Sequence, residues 1–221
     1  MSIYSRRYER YEGPLEPESH GPLVICETEL KRLYREKWVR RLFLLSWSPV
    51  LVLAMRLYVS NVLRPGDDDF QPDDVFLSLF KAEAWFVGIM MAAFGSSMIA
   101  RDVQNRALTL YFTRPLTSDQ YLLGKLSAAV ITVMGVTFVP GILLALAQLL
   151  MNETSAFTHF LDVTWRIAAA SFLVSTMIAS LILLLSSLGK SSRYVGIGWL
   201  AIFFFLHIAR EDYAATKGCV A

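Results

Sequence analysis

Leu42–Leu63, Phe76–Ala100, Tyr121–Met151 and Ile167–Leu188 are apolar runs, each reaching the roughly 20 residues a helix needs to cross a bilayer core. A fifth run, Tyr194–Ala209, is shorter and reads as a thin span or the first half of a re-entrant hairpin. Composition agrees: 18% of the chain is charged and its mean hydropathy is +0.45, against about 25% charged in an ordinary soluble domain. The expected fold is an all-α polytopic membrane protein, with an N-terminal interfacial helix and about five transmembrane helices. The third run contains Pro140-Gly141, where a kink or strong tilt is expected.

The polar segments between the runs set the orientation. Nine Lys or Arg lie in residues 1–41, four in 101–125 and two in 189–193, whereas the loops at 64–75 and 152–166 hold only Arg64 and Arg166. Cytoplasmic loops carry the excess of Lys and Arg, so the N-terminus and the segment between the second and third runs are expected in the cytoplasm. Residues 1–26 read as a flexible cytoplasmic tail, 27–209 as the transmembrane domain and 210–221 as a polar tail. No cleavable signal peptide is read in the first 25 residues, which lack an apolar centre. Glu27–Arg41 reads as the interfacial helix, with Leu30, Leu33, Tyr34 and Trp38 on one arc and Lys37 and Arg41 snorkelling from it. Cys26 and Cys219 fall on opposite sides of the membrane in this topology, and both are expected free. Small residues repeat at every fourth position in Ala92, Ser96, Ala100 and again in Ser171, Ser175, Ala179, the stripe that lets helices approach closely in lipid.

The polar island at 99–125 is the most informative loop. Val103, Ala107, Leu110 and Tyr111 recur at helical spacing, so a short amphipathic helix is expected to continue from the second span. Arg114-Pro115 stops it, because a residue preceding proline is pushed out of the α region. Thr117 and Gln120 form a capping box that starts the third span. The island therefore reads as a rigid elbow on the membrane surface, suited to being pushed by a soluble partner.

Catalytic patterns are scarce. Gly189-Lys190-Ser191 looks like the tail of a phosphate-binding loop, but Leu184 stands where the first glycine belongs and a span precedes it. Gly124-Lys125 fails for the same reasons. His20, His159 and His207 have no zinc spacing, and no metal or nucleic-acid site is read in the chain. Four ionisable residues lie in or near the runs: Arg56, Lys81, Glu83 and His207. Arg56 is a candidate partner for Glu83, and with Lys81 the two would line a polar pathway; snorkelling to the outer interface is the alternative.

The island resembles the permease subunits of type-2 ATP-binding-cassette exporters. The residues that carry the likeness are Ala100-Arg101-Asp102, Ala107-Leu108-Thr109-Leu110-Tyr111, Thr113-Arg114-Pro115-Leu116 and Asp119-Gln120-Tyr121-Leu122-Leu123-Gly124-Lys125. The likeness is specific over about 97–126 and covers most of 27–209 in layout. It implies a permease with six spans, paired with a second copy or homologue and driven by a separate cytoplasmic ATPase. It also makes the loop between spans two and three the coupling element. This chain shows five runs, so a sixth span is missing from the pattern. Arg101, Asp102, Arg106, Arg114, Pro115, Leu116, Asp119 and Tyr121 are the expected partner-coupling residues. The arginines supply charge for docking or for lipid headgroups, and Leu116 with Tyr121 supplies an apolar anchor. ATP and Mg are expected on the partner and no cofactor on this chain, which has no complete phosphate-binding motif. The expected location is the bacterial inner membrane, multi-pass, with export outward. A non-transporting scaffold that recruits a cytoplasmic partner through the same elbow is the alternative function.

Overall fold

The computed structural model describes residues 21–59, 72–107, 117–151, 156–189 and 191–218, with helices and no strands among them. Five of its helical stretches are long and apolar enough to cross a membrane: Lys37–Tyr58, Val75–Gln104, Ser118–Leu150, Phe160–Leu188 and Ser192–Arg210. The chain is thus an all-α, multi-pass membrane protein.

Helix α1 (Gly21–Arg35) precedes the first span and starts inside the stretch expected to be a flexible tail. Its face Ile25, Cys26, Glu29 and Leu33 is buried against the third span, while Tyr34 and Trp38, expected on the same arc, are exposed. The interfacial helix expected over Glu27–Arg41 is broken at Glu36, which is extended (φ −77°, ψ 114°). Span one then consists of α2 (Lys37–Leu45) and α3 (Ser48–Tyr58). The interruption falls just before Pro49, whose ring would clash with the carbonyl one helical turn back.

Span two begins as α4 (Pro72–Ala93), tightens into a 3-10 turn at Gly95–Ser97 and resumes as α5 (Ala100–Gln104). The break leaves backbone donors to satisfy, and a serine from a distant span does so. Ser186 Oγ accepts from the amides of Ile99 and Ala100 at 3.0 Å each and donates to the Ser96 carbonyl at 3.0 Å. Span five packs closely on this stretch, since a Cβ on its Gly196 would lie 3.0 Å from the Ala92 carbonyl oxygen.

Span three is α6 (Ser118–Met151), one helix with Pro140 inside it. Span four is α7 (Ala156–Leu188), and its Ser171, Ser175 and Ala179 stripe is fully buried. Span five is α8 (Ser192–Gly218), a helix that runs through the stretch expected to be a polar tail. Its Trp199 Nε1 donates to the Gly88 carbonyl of α4 at 3.0 Å.

The core lies between α1, α4, α6 and α7, with a second cluster where α3, α4 and α6 meet. Lys125 Nζ donates to the Met98 carbonyl at 2.9 Å, which ties the break in span two to the start of span three. Val87 and Val136 belong to the main cluster, and Leu79 and Leu144 to the second.

Candidate functional site

The site is a buried ionic knot at the end of the bundle where α1 meets α5 and the start of α6. Lys125 is its centre, with a side chain that is 0% exposed. An ammonium has three donors and no acceptor, and three acceptors surround this one. They are Glu29 Oε1 of α1, Asp102 Oδ2 of α5 at 2.7 Å, and the Met98 carbonyl at the break in span two. The ammonium also stands 5.4 Å from the centroid of the Tyr121 ring. Tyr121 completes the knot by donating its hydroxyl to Asp102 Oδ2 at 2.7 Å.

Charge balance comes from α1. Glu29 and Asp102 bring two carboxylates against one lysine, and Arg32 lies 3.4 Å from the second Glu29 oxygen. Burying a charge is costly unless it is paired and hydrogen-bonded, and here every donor of the lysine is used. Removing one partner from such a pair costs about 3–5 kcal/mol, because the other charge stays behind without compensation. The knot therefore ties α1, span two and span three into one joint.

Local sequence explains the placement. Glu29 occupies the same α1 face as Cys26 and Leu33, at the helical spacing of three and four residues. Gly124 lets that face approach, since a Cβ there would lie 2.8 Å from Ile25 Cβ and 2.9 Å from the Pro22 carbonyl oxygen. The capping box forms as the sequence predicts: the Thr117 amide donates to Gln120 Oε1 at 3.2 Å, and the Gln120 amide to Thr117 Oγ1 at 3.4 Å. It starts α6 so that Tyr121 and Lys125, one turn apart, both point inward.

The expected coupling residues separate into groups. Asp102 and Tyr121 are buried, at 8% and 4% exposure. Tyr121 thus stands inside the joint rather than on an outer face as an apolar anchor. Arg101 is half-buried and lines a small cavity of about 30 Å³ with Arg32, Glu36 and Ser97. Arg106 and Asp119 are exposed. Arg114, Pro115 and Leu116 lie outside the described residues. The amphipathic helix expected to continue through Val103 and Ala107 is interrupted instead. Helix α5 ends at Gln104, and Arg106 adopts φ 52°, the left-handed region that L side chains rarely enter.

The expected pathway residues do not come together. Arg56 and Lys81 are exposed, whereas Glu83 is fully buried with neither carboxyl oxygen hydrogen-bonded. The pairing of Arg56 with Glu83 does not form. His207 stacks on aromatic rings, 4.4 Å from the centroid of Trp85.

Sequence reasoning missed Glu29, Lys125 and Ser186. Lys125 entered as a basic residue of the island, in a rejected phosphate-loop pattern and in the motif of the resemblance, and Glu29 only as part of a charged interfacial helix. The available signal was the apolar face on which each sits, a position where a charged residue requires a partner. Among the described residues no cluster of His, Cys, Asp and Glu is arranged to hold a metal, and Cys26 is a buried free thiol.

Residues 23–214 match the family model described as ABC-2 family transporter protein. Comparison with curated proteins gave no match. The matched segment includes α1 but for its first two residues, spans one to four, span five as far as residue 214, and all four members of the knot. The chain belongs to the ABC-2 family of transporter proteins, as a membrane-spanning permease subunit.

Proposed function

We propose that this permease exports its substrate using ATP hydrolysed by a separate cytoplasmic ATPase, and that the segment between α5 and α6 is the lever the ATPase moves. One observation carries the reading. Both ends of that segment are fastened to each other and to α1 through Asp102, Tyr121, Lys125 and Glu29. A push on the segment therefore cannot be absorbed as slack at its roots; it is handed to spans two and three and to α1 together. The excess of Lys and Arg at this end supports a cytoplasmic position for the segment and the N-terminus. Arg101 and Arg106, with Arg114 in sequence, supply charge for docking. In this reading a second permease copy or homologue completes the assembly, which sits in the bacterial inner membrane.

The test is co-purification with the ATPase and measurement of its hydrolysis in lipid. Arg114→Glu with Leu116→Asp is expected to lose the ATPase or its stimulation by the permease. Asp102→Asn is expected to keep the ATPase bound but lower the stimulation, because the contact surface stays while the joint behind it loosens. Undiminished stimulation in both variants overturns the lever. An ATPase that binds but never drives transport supports the scaffold alternative.

A further inference from the structure

Glu83 belongs to none of the machinery above. It lies in the stripe Val75, Leu79, Glu83, Val87, which repeats every fourth residue on the face of α4 packed against α3 and α6. The opposite face, with Trp85 and Gly88, meets α8. Glu83 sits between the two core clusters, a fully buried carboxyl with neither oxygen hydrogen-bonded.

Among the described residues nothing facing Glu83 supplies a positive charge. Between Lys125 and Met151, α6 carries no ionisable side chain. Arg56 on α3 and Arg41 on α2 are exposed and lie toward opposite ends of the bundle. His207 on α8 packs against Trp85 on the far side of α4, and Lys81 on α4 itself is exposed. An isolated carboxylate in apolar surroundings costs so much that the group neutralises instead.

We propose that Glu83 is a proton-binding site whose occupancy reports and controls the packing of span two on span three. With the spans closed, the carboxyl keeps its O–H bond. When α4 parts from α6 and water enters, that bond breaks, the proton passes to water and a solvated carboxylate remains. Closing again requires one proton to be taken back. Acid conditions therefore favour the closed packing, and alkaline conditions favour the parted one. The inference holds whether or not an ATPase drives the motion.

Leu77 on α4 and Leu146 on α6 are exposed. Spin labels at cysteines placed there, in the full chain reconstituted in lipid with Cys26 and Cys219 replaced by alanine, read the separation of the two spans. The distance is expected to lengthen on raising the pH and to stay short at every pH in Glu83→Gln. A distance that moves equally in both, or in neither, overturns the proposal. A second measurement needs no variant at Glu83. Infrared spectra of the unaltered protein are expected to show an un-ionised carboxyl band at neutral pH that is lost as the pH rises, and absence of that band at neutral pH overturns the proposal.

Discussion

Lys125 and Asp102 lie on either side of the surface segment that joins spans two and three, yet their side chains meet at 2.7 Å inside the protein. The pair closes the base of that segment, and Glu29 fastens the closure to a helix almost a hundred residues earlier in the chain. In the proposed coupling, this closure keeps a stroke from being dissipated at soft roots.

Lys125→Met is expected to destabilise the protein by about 3–5 kcal/mol, since it leaves two carboxylates buried with only Arg32 nearby. Adding Glu29→Gln and Asp102→Asn is expected to recover part of that loss by removing the stranded charges. Unfolding in detergent, followed by circular dichroism across the four combinations, gives the coupling. Strictly additive losses would show that the three groups do not act together.

Ser186→Ala removes the acceptor shared by the amides of Ile99 and Ala100. Each buried donor left unmade costs about 1–3 kcal/mol, so a fall in stability of that order is expected. Hydrogen exchange at Ile99 and Ala100 should quicken more than at Val87, which lies in the uninterrupted part of the same span.

Gly124→Leu is expected to lift α1 from α6, because a side chain there meets Ile25 and the Pro22 carbonyl at under 3 Å. Cys26 is buried under α1 and gives the readout. In a Cys219→Ser background, maleimide labelling of Cys26 should be slow in the parent and at least tenfold faster in the variant, which corresponds to about 1.4 kcal/mol of lost docking.

Trp199→Phe keeps the ring but removes the indole N–H that reaches the Gly88 carbonyl. A loss of about 0.5–1.5 kcal/mol is expected for a typical hydrogen bond. Gly88→Val should cost more, since any Cβ there falls within 2.9 Å of the Phe203 ring. Thermal unfolding of both variants in one detergent checks the order.

The sequence made the spans legible because lipid imposes one simple rule on a helix, a long apolar run, and that rule leaves a direct trace. The capping box at Thr117 and Gln120 was equally readable, being a contact between near neighbours. What escaped was long-range or conformational. Glu29 and Lys125 are 96 residues apart, and neither betrays its partner locally. The left-handed Arg106 interrupts the helix that the apolar spacing of Val103, Ala107 and Leu110 favoured, a backbone conformation that this spacing does not signal. Arg56 and Glu83 look like a pair on a linear chain, but the fold exposes Arg56 and buries Glu83 without a hydrogen-bond partner.

The tight turn at Gly95–Ser97 gives span two a property a uniform helix lacks. A 3-10 turn rises about 2.0 Å per residue at three residues per revolution, against about 1.5 Å and 3.6 in an α-helix. Rewinding these three residues into α form would shorten the rod by about 1.5 Å and rotate everything beyond Ile99 by about 60°. The Ser186 hydroxyl, bonded to the Ser96 carbonyl and to the Ile99 and Ala100 amides, thus secures both the length of the rod and the bearing of its end.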